Sequence, residues 1–227
     1  MKTLILLAAL FLPAEWSGAR AATVVELFTS QSCSACPPAD ALLTELNRTR
    51  PDLLVLAYHV TYWDRTGWCD PFSLTAATER QRAYATRFPD GLYTPQLVVQ
   101  GTHAAVGSDR PAVLAAIAAA RPASIALTLT NDGAGLRVDA GAGQERGRGR
   151  GTVVLVGYDR MHTTRVGGGE NGGRTLTESN VVRALIPLGP WDGMPLRLVA
   201  TRPAGERTAV LLQADDGSIL ASAVLGS

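Results

Sequence analysis

The sequence predicts an α/β domain followed by an all-β, sandwich-like unit. Strand-like and helix-like segments alternate over the first half of the chain, which indicates a partly parallel sheet with helices on its faces. Beyond residue 122 only strand-like segments follow, and Gly- and Asp-rich turns separate them. The composition, with 46% apolar and 18% charged residues, is that of a globular protein. We therefore expect a signal peptide at residues 1–21, an α/β domain at 22–121 and a β-rich unit at 122–227.

The N-terminal residues have the pattern of a secretory signal peptide. Lys2 supplies a positive charge, Leu4–Leu12 is an apolar run, and residues 19–21 have the small-x-small pattern of a cleavage site. The apolar run is shorter than the roughly 20 residues of a membrane-spanning helix. We expect cleavage near Ala22 and a periplasmic or secreted mature protein without a stable membrane span. A retained N-terminal anchor is the alternative.

Four strands and three helices are predicted in the first half. Residues 23–29, Thr-Val-Val-Glu-Leu-Phe-Thr, are β-branched and apolar, which favours a buried strand. Leu42, Leu43 and Leu46 fall on one face of a helix, and Pro89 ends the helix that follows. The predicted strands are Thr23–Thr29, Leu53–His59, Gln96–Gln100 and Ala104–Gly107, and the predicted helices are Ala39–Asn47, Leu74–Phe88 and Arg110–Ala120.

The second half is predicted to contain strands alone. Asn-Asp-Gly at residues 131–133 and Asp-Asp-Gly at residues 215–217 are turn sequences typical of hairpins. Strand patterns do not show which sheet a strand joins, so one continuous mixed sheet is the alternative to a separate unit. The predicted strands are Ser124–Thr130, Leu136–Ala140, Thr152–Tyr158, Leu196–Thr201, Thr208–Leu212 and Ser218–Leu225.

Cys33 and Cys36 are the strongest functional signal in the sequence. A bond between them would close a very small loop, which stabilises a fold little, so chemistry explains the spacing better than architecture. They lie at the start of a predicted helix, where unpaired N–H groups lower the pKa of a thiol. Cys33 lies farther from the helix body and is the predicted attacking thiol, with Cys36 as the resolving thiol. Cys69 is the odd thiol; we expect it to be a passive surface residue, and a third redox thiol is the alternative.

These residues predict thiol–disulfide exchange on protein or small thiol substrates. Such an oxidoreductase needs a redox partner protein and no bound cofactor. Two alternatives remain open: a copper-handling protein that uses the two thiolates and His59, and a non-catalytic binding module with a structural disulfide. Structural zinc is not expected, because it typically needs four ligands. The net charge of +1 gives no reason to expect binding to nucleic acid.

Several motifs resemble those of a known family. The run from Glu26 to Asp40, which contains Cys-Ser-Ala-Cys-Pro-Pro, resembles the hallmark of the exported bacterial family DUF1223. That family is classed as thioredoxin-like and its function is not established, so the resemblance implies a thioredoxin-like N-terminal domain. Further similar motifs are Tyr58–Asp64, Gly67-Trp68, Asp70–Ser73, Tyr93–Gln96, Gly169–Asn171, Arg174–Thr177 and Asn180–Val182.

The resemblance also implies roles for three further residues. Thioredoxin-like proteins place a cis-proline opposite the cysteines; here this falls on Pro95 and lets Thr94 expose its backbone to substrate. They also keep a buried acid that moves a proton to or from the resolving thiol, and Glu26 lies in the matching strand. An edge position or a pairing with arginine is the alternative for Glu26. Ser32 replaces the usual Trp before the first cysteine, so partner specificity does not carry over.

Polar and aromatic side chains follow the second predicted strand and leave the same sheet edge as the cysteines. They could line a substrate cleft with one polar end, and a packed loop is the alternative. The Gly-rich residues 167–173 lack the Lys-Ser/Thr ending of a phosphate loop, so no nucleotide is expected there. The predicted substrate-binding residues are Thr94, Pro95, His59, Tyr62, Trp63, Asp64 and Trp68.

Overall fold

A computed structural model describes residues 22–121, 123–133, 135–143 and 149–226. The predicted signal peptide lies outside these residues. The described part of the chain forms eleven β-strands and three α-helices. None of the described helices is long and apolar enough to cross a membrane.

The elements follow one another in a mixed order. The strands are β1 (Thr23–Thr29), β2 (Leu53–His59), β3 (Gln96–Val99), β4 (His103–Val106), β5 (Leu127–Asn131), β6 (Leu136–Ala140), β7 (Gly151–Arg165), β8 (Thr175–Trp191), β9 (Leu196–Ala200), β10 (Arg207–Ala214) and β11 (Ile219–Val224). The helices are α1 (Pro37–Thr49), α2 (Thr75–Ala85) and α3 (Arg110–Ala119), with short 3-10 helices at Thr61–Trp63 and Gly169–Asn171.

Eight strands form one mixed sheet in the order β11-β10-β7-β8-β2-β1-β3-β4. β1 is parallel to β2 and antiparallel to β3, so Phe28 lies between Tyr58 on one side and Gln96 on the other. β8 runs parallel to β2 and pairs with it at Ala57 and Val181. This pairing joins the first four strands to the later ones. A second, three-stranded antiparallel sheet has the order β5-β6-β9.

The predicted fold class, a thioredoxin-like α/β domain followed by an all-β sandwich-like unit, is wrong. Strands β7, β8, β10 and β11 extend the sheet that β1–β4 begin, instead of forming a separate sandwich. One core cluster contains Val24 and Phe28 from β1 together with Val156 from β7 and Leu211 from β10. The described residues therefore form a mostly β protein built on one continuous mixed sheet.

The β7–β8 hairpin is the longest element of the sheet. Its strands have 15 and 17 residues and pair antiparallel, with Gly151 opposite Trp191 at one end and Arg165 opposite Thr175 at the other. The sequence predicts a shorter β7 and no strand at β8. Residues 166–174 connect the two strands and lie against the start of α1.

Both faces of the large sheet are covered. On one face, Tyr84 of α2 packs edge-on against Phe28, with 5.9 Å between ring centroids. On the other face, α1 and α3 bring Leu43 and Val113 against Leu27, because successive residues of a strand point to opposite faces. The three-stranded sheet covers the rest of that face, around Trp191. The start of α1 therefore lies at the edge where the parallel strands β1 and β2 both end.

Candidate functional site

Cys33 and Cys36 form a disulfide at the start of α1. Their Cα atoms are 5.4 Å apart. Cys36 immediately precedes the helix, and its carbonyl accepts hydrogen bonds from the N–H groups of Ala39 (2.9 Å) and Asp40 (3.1 Å). Pro37 opens the helix, at a position where a missing N–H costs nothing. The positive end of the helix therefore lies beside the sulfur atoms and stabilises a thiolate there.

Both cysteines are buried, although the two residues between them are exposed. Cys33 is 1% exposed and Cys36 is 0% exposed, whereas Ser34 and Ala35 face solvent. The sequence predicts a sulfur that substrate can reach at the mouth of the helix. The structure instead shows a buried Cys33, with segments from three other parts of the chain packed against residues 31–34.

The first of these segments is the loop before β3. The Thr94–Pro95 peptide bond is cis, which confirms the predicted isomer. The Thr94 carbonyl oxygen lies 4.0 Å from the Cys33 sulfur, which carries no hydrogen in the disulfide. Trp63 donates its indole N–H to the Thr94 hydroxyl at 2.8 Å. The structure thus brings Thr94, Pro95 and Trp63, three of the predicted substrate-binding residues, to one side of the disulfide.

The second segment is Gly-rich and connects β7 to β8; we call residues 167–173 the glycine loop. Its Asn171 side chain donates to the carbonyl oxygens of Gln31 (3.0 Å) and Cys33 (2.8 Å). Its Glu170 carboxylate accepts from the Ser34 N–H (2.9 Å) and the Ser34 hydroxyl (2.6 Å). The glycine loop therefore holds the cysteine segment on both sides of Cys33.

Close approach explains why this loop needs glycine. A Cβ added at Gly169 would lie 2.9 Å from the Ser32 hydroxyl oxygen, and the φ of Gly169 is +66°. Only glycine adopts such a φ without steric cost. Neither Glu170 nor Asn171 is predicted to be a site residue from the sequence. The signal that could have found them was the match of Gly169–Asn171 to a family motif.

The third segment carries Trp68, which follows the 3-10 helix after β2. Its indole N–H donates to the Gln31 side-chain oxygen at 3.1 Å, and its carbonyl accepts from the Ser32 hydroxyl at 3.1 Å. A Cβ added at Gly167 would lie 2.7 Å from the Trp68 ring. Trp68 therefore packs between the cysteine segment and the glycine loop, as a third wall of the site.

A buried ionisable cluster lies beneath these segments. His59 Nδ1 is 2.7 Å from the Asp70 carboxylate, and His59 Nε2 is 3.8 Å from the Glu178 carboxylate. Gln31 donates its amide to the other Glu178 oxygen at 2.7 Å. Asp40, one helical turn after Cys36, completes the cluster on the side of α1. The sequence predicts a role for His59 but not for Asp40, Asp70 or Glu178.

Burial and like charge shift the pKa values in this cluster. Burial, and next the charge of Glu178, raise the pKa of Asp40 from 3.8 to about 7. Burial disfavours the charged form of His59, but Asp70 and Glu178 outweigh it and raise the pKa of His59 to about 9. Burial raises the pKa of Glu178 as well, whereas His59 holds the pKa of Asp70 below its usual value against the effect of burial.

Several buried polar atoms of this cluster have no hydrogen-bond partner among the described residues. They are Thr29 Oγ1, Asp40 Oδ1, His59 Nε2 and Glu178 Oε1. Unpaired buried polar atoms are rare and costly in folded proteins. Thr29 Oγ1 and Asp40 Oδ1 are nonetheless close enough for the Thr29 hydroxyl to lower the pKa of Asp40, against the effect of burial.

Glu26 lies on the face of the sheet opposite α1. Its carboxylate pairs with the Arg80 guanidinium, at 2.6 and 3.1 Å, and accepts from the Tyr84 hydroxyl at 2.6 Å. Its neighbour Leu27 is the residue that packs towards α1. The structure therefore does not bring Glu26 to the disulfide, and it shows the arginine pairing that the sequence left open as the alternative.

The described contacts of three further residues of the loop after β2 do not include the two cysteines. Tyr62 donates its hydroxyl to Gln81 of α2 at 3.1 Å. The Asp64 carboxylate accepts from the Asp70 N–H (3.2 Å) and the Ser73 hydroxyl (2.7 Å), so Asp64 closes the loop. Cys69 is a free, exposed thiol. Within the described ranges, no group of three or more His, Cys, Asp or Glu side chains is arranged to hold a metal ion.

The fold and the site define a mixed-sheet protein with a Cys-x-x-Cys disulfide at a helix N-terminus. The chain belongs to the family described as "Protein of unknown function (DUF1223)", whose model matches residues 24–213. This confirms the family that the sequence motifs indicate.

Two solved structures are similar to the chain. A crystal structure of a protein from Agrobacterium tumefaciens is 30% identical, covers 92% of this chain and 96% of its own, and has a TM-score of 0.76. HBP35 of Porphyromonas gingivalis is 14% identical, covers 90% of this chain and 74% of its own, and has a TM-score of 0.61, so that likeness concerns the fold alone. A comparison with functionally curated proteins finds no match.

Proposed function

We propose that the protein carries out thiol–disulfide exchange through Cys33 and Cys36, on a protein or small thiol substrate. The observation that carries the proposal is the placement of this disulfide at the N-terminus of α1, with the Thr94 carbonyl facing the Cys33 sulfur. A thiol at a helix N-terminus ionises more easily than a free thiol, and the thiolate is the reactive form. A second sulfur three residues away is positioned to release a mixed disulfide.

The exchange proceeds in two balanced steps. The Cys33 thiolate attacks one sulfur of a substrate disulfide, that S–S bond breaks, and the second substrate sulfur leaves as a thiolate. Cys36 then loses its proton and attacks Cys33, which re-forms the Cys33–Cys36 bond and releases the first substrate sulfur as a thiolate. Two electrons pass from the cysteine pair to the substrate. A substrate dithiol drives the same steps in reverse.

We assign to Asp40 the role of accepting the proton that the Cys36 thiol loses. Residues four apart on a helix lie on the same face, so the Asp40 carboxyl and the Cys36 sulfur are neighbours on α1. A buried carboxyl with a pKa of about 7 can accept a proton from a thiol, or return one, at neutral pH. Asp40 is therefore the general base for Cys36 in this scheme, and the general acid in the reverse direction.

The proposal includes a location outside the cytoplasm. Residues 1–21 have the composition of a secretory signal, and disulfides persist in the oxidising compartments that such signals lead to. A periplasmic or secreted site of action supplies the protein thiols and disulfides on which the pair would act.

A second candidate function rests on the burial of both sulfurs. Disulfides that are 0–1% exposed are typical of structural bonds that fix a loop. If this bond has only that role, the protein is a binding module and not an oxidoreductase. The reduction potential separates the two functions. Structural disulfides have potentials below about −300 mV, whereas catalytic ones are less reducing. A potential near that of the surrounding thiol pool supports exchange.

Trapping of the mixed disulfide tests the proposed function directly. The reduced Cys36→Ser variant is mixed with a disulfide-bonded protein such as insulin, and we expect a covalent adduct through Cys33 that a reductant releases. The reduced Cys33→Ser variant should give little adduct, and Cys69→Ser, which removes the exposed thiol, is the matched control with wild-type turnover. An adduct that forms through Cys69 alone, or none in any variant, contradicts the proposal.

A further inference from the structure

Exchange requires a sulfur that is exposed, yet Cys33 is 1% exposed in the oxidised protein. We propose that the glycine loop is a movable cover over Cys33, and that Glu170 is the residue that controls access to the sulfur. The inference rests on the proposed function for the identity of the reacting substrate. It goes beyond that function because it assigns control of the reaction to a residue outside the cysteine segment.

The glycine loop has the composition of a segment that can move. Five of its seven residues are glycine. Its ends are fixed by the β7–β8 ladder, where Val166 donates to the Arg174 carbonyl at 2.9 Å and Gly173 donates to the Val166 carbonyl at 2.8 Å. Glycine has more backbone conformations than any other residue, so a tip rich in glycine can change shape while its base stays paired.

Asn171 and Glu170 attach this tip in different ways. Asn171 is fully buried, donates to the carbonyls of Gln31 and Cys33 and accepts from Arg174 at 2.7 Å, so it is the anchored part of the glycine loop. Glu170 is exposed, and its only described contacts are the two hydrogen bonds to Ser34. Exposed hydrogen bonds exchange readily with water, so the contact between Glu170 and Ser34 is the part of the cover that opens most easily.

The charge of Glu170 links the cover to the redox state of the pair. In the disulfide form the sulfurs are neutral, and the Glu170 carboxylate is free to take the Ser34 N–H. Reduction places a thiolate on Cys33, and the Glu170 carboxylate is bound to the next residue, Ser34. These two negative charges repel each other. The reduced protein therefore holds its cover less tightly than the oxidised protein, and Cys33 is exposed in the state in which it attacks.

The rate at which a neutral trialkylphosphine reduces the Cys33–Cys36 bond measures access to the sulfurs. We compare the full chain with Glu170→Ala, Glu170→Gln and the control Glu79→Ala, an exposed acid of α2 on the opposite face of the sheet. We expect Glu170→Ala to react about tenfold faster, because two hydrogen bonds to Ser34 are lost. Glu170→Gln keeps an acceptor oxygen and should react only about two- to threefold faster, and Glu79→Ala should match the wild type.

Equal phosphine reduction rates for all four proteins contradict the proposed cover. A Glu79→Ala control that also reacts faster than the wild type contradicts it too. Hydrogen exchange of residues 166–174 gives a second readout: reduction should increase exchange there, and unchanged exchange contradicts the link to redox state. Phosphine reduction reports access whether or not the protein exchanges disulfides with a substrate. If Glu170→Ala is reduced faster but Cys36→Ser forms no insulin adduct, the proposed function is rejected and the cover is retained. If the adduct forms but Glu170→Ala is reduced at the wild-type rate, only the cover is rejected.

Discussion

Ala57 of β2 pairs with Val181 of β8, and this pairing joins the N-terminal and C-terminal strands into one sheet. The consequence for stability is that the two halves share one of the three core clusters, although each half also has a cluster of its own. The cluster around Val24 and Phe28 is completed by Val156 and Leu211 from the later strands.

Residues 22–121 are therefore expected to be less stable when they are expressed alone than in the full chain, although they keep the cluster around Leu27 and Leu43. The fragment would expose the face of β2 on which β8 lies and would lose part of the shared core cluster. Circular dichroism and amide NMR dispersion of this fragment, with residues 22–226 as the control, provide the measurement. A melting temperature of the short fragment equal to that of residues 22–226 would show that the first half is an independent domain.

Asp40→Asn should change how stability depends on pH. The pKa of Asp40 is about 7 in the folded protein and near 3.8 in the unfolded chain. Between these values the unfolded chain releases a proton that the folded protein keeps, so the wild type loses stability as pH rises from about 4 to 7. Asp40→Asn lacks this titration, so the difference in free energy of unfolding between the variant and the wild type should shift in favour of the variant from pH 4 to pH 7. Above pH 7 this difference should stay constant. Urea titrations at pH 4, 5.5, 7 and 8 measure it.

His59→Gln should show its largest effect on stability at low pH. The pKa of His59 is raised from 6.5 to about 9, so its pairing with Asp70 and Glu178 contributes fully below pH 6.5 and is lost as pH rises through 9. The destabilisation caused by the substitution should therefore shrink between pH 6.5 and pH 9. A difference in the free energy of unfolding that is the same at both ends of this range would show that His59 is not charged in the folded protein.

Glu26→Gln is expected to impair stability and to leave the disulfide chemistry unchanged. The substitution leaves the Arg80 guanidinium, 10% exposed, without its bidentate partner, which typically costs about 3–5 kcal/mol. Because Glu26 lies on the face opposite α1, the pH profile of exchange should match that of the wild type. Chemical denaturation and stopped-flow exchange kinetics check the two parts, with Glu79→Gln as control. A shifted pH profile would restore a proton-transfer role to Glu26.

Two glycines of the glycine loop form a matched pair for substitution. Gly169 and Gly173 both have positive φ, at +66° and +83°, so alanine at either position costs about 1 kcal/mol in backbone conformation. Only at Gly169 would the new Cβ meet Ser32, whereas at Gly173 nothing lies within 4 Å. Gly169→Ala should therefore be more destabilising by about 1 kcal/mol or more. It should also speed phosphine reduction of the disulfide, since the loop must move away from the cysteine segment.

Local patterns in the sequence predicted local features well. The bounds of β1 and β2 were predicted to the residue, because both are short apolar runs between turn residues. The approach of Trp63 and Trp68 to the cysteine segment followed from elements that share one sheet edge, a contact that strand order and chain direction determine. The cis Thr94–Pro95 bond followed instead from the resemblance to the family.

The β8 strand was missed for physical reasons. It begins with polar residues such as Glu178 and Asn180, and it contains Pro187 and Pro190, which cannot donate to a ladder. The strand tolerates these residues because one register shift in its pairing with β7 lies between Pro187 and Gly189, and because Glu178 is buried against His59 and Gln31. Without β8 the two halves appear separate, and this is why the predicted fold class was wrong and why Glu170 and Glu178 were not connected to the cysteines.

The β7–β8 hairpin has a consequence for how relatives of this protein can diversify. Its 15-residue strand spans about 50 Å, and its far end is anchored in the core around Trp191. Insertions are tolerated best at hairpin tips, where the backbone carries few interior contacts. Evolution or protein engineering can thus lengthen, shorten or replace residues 167–173 and select for bulkier or smaller reaction partners, while the scaffold and its sulfur chemistry stay the same.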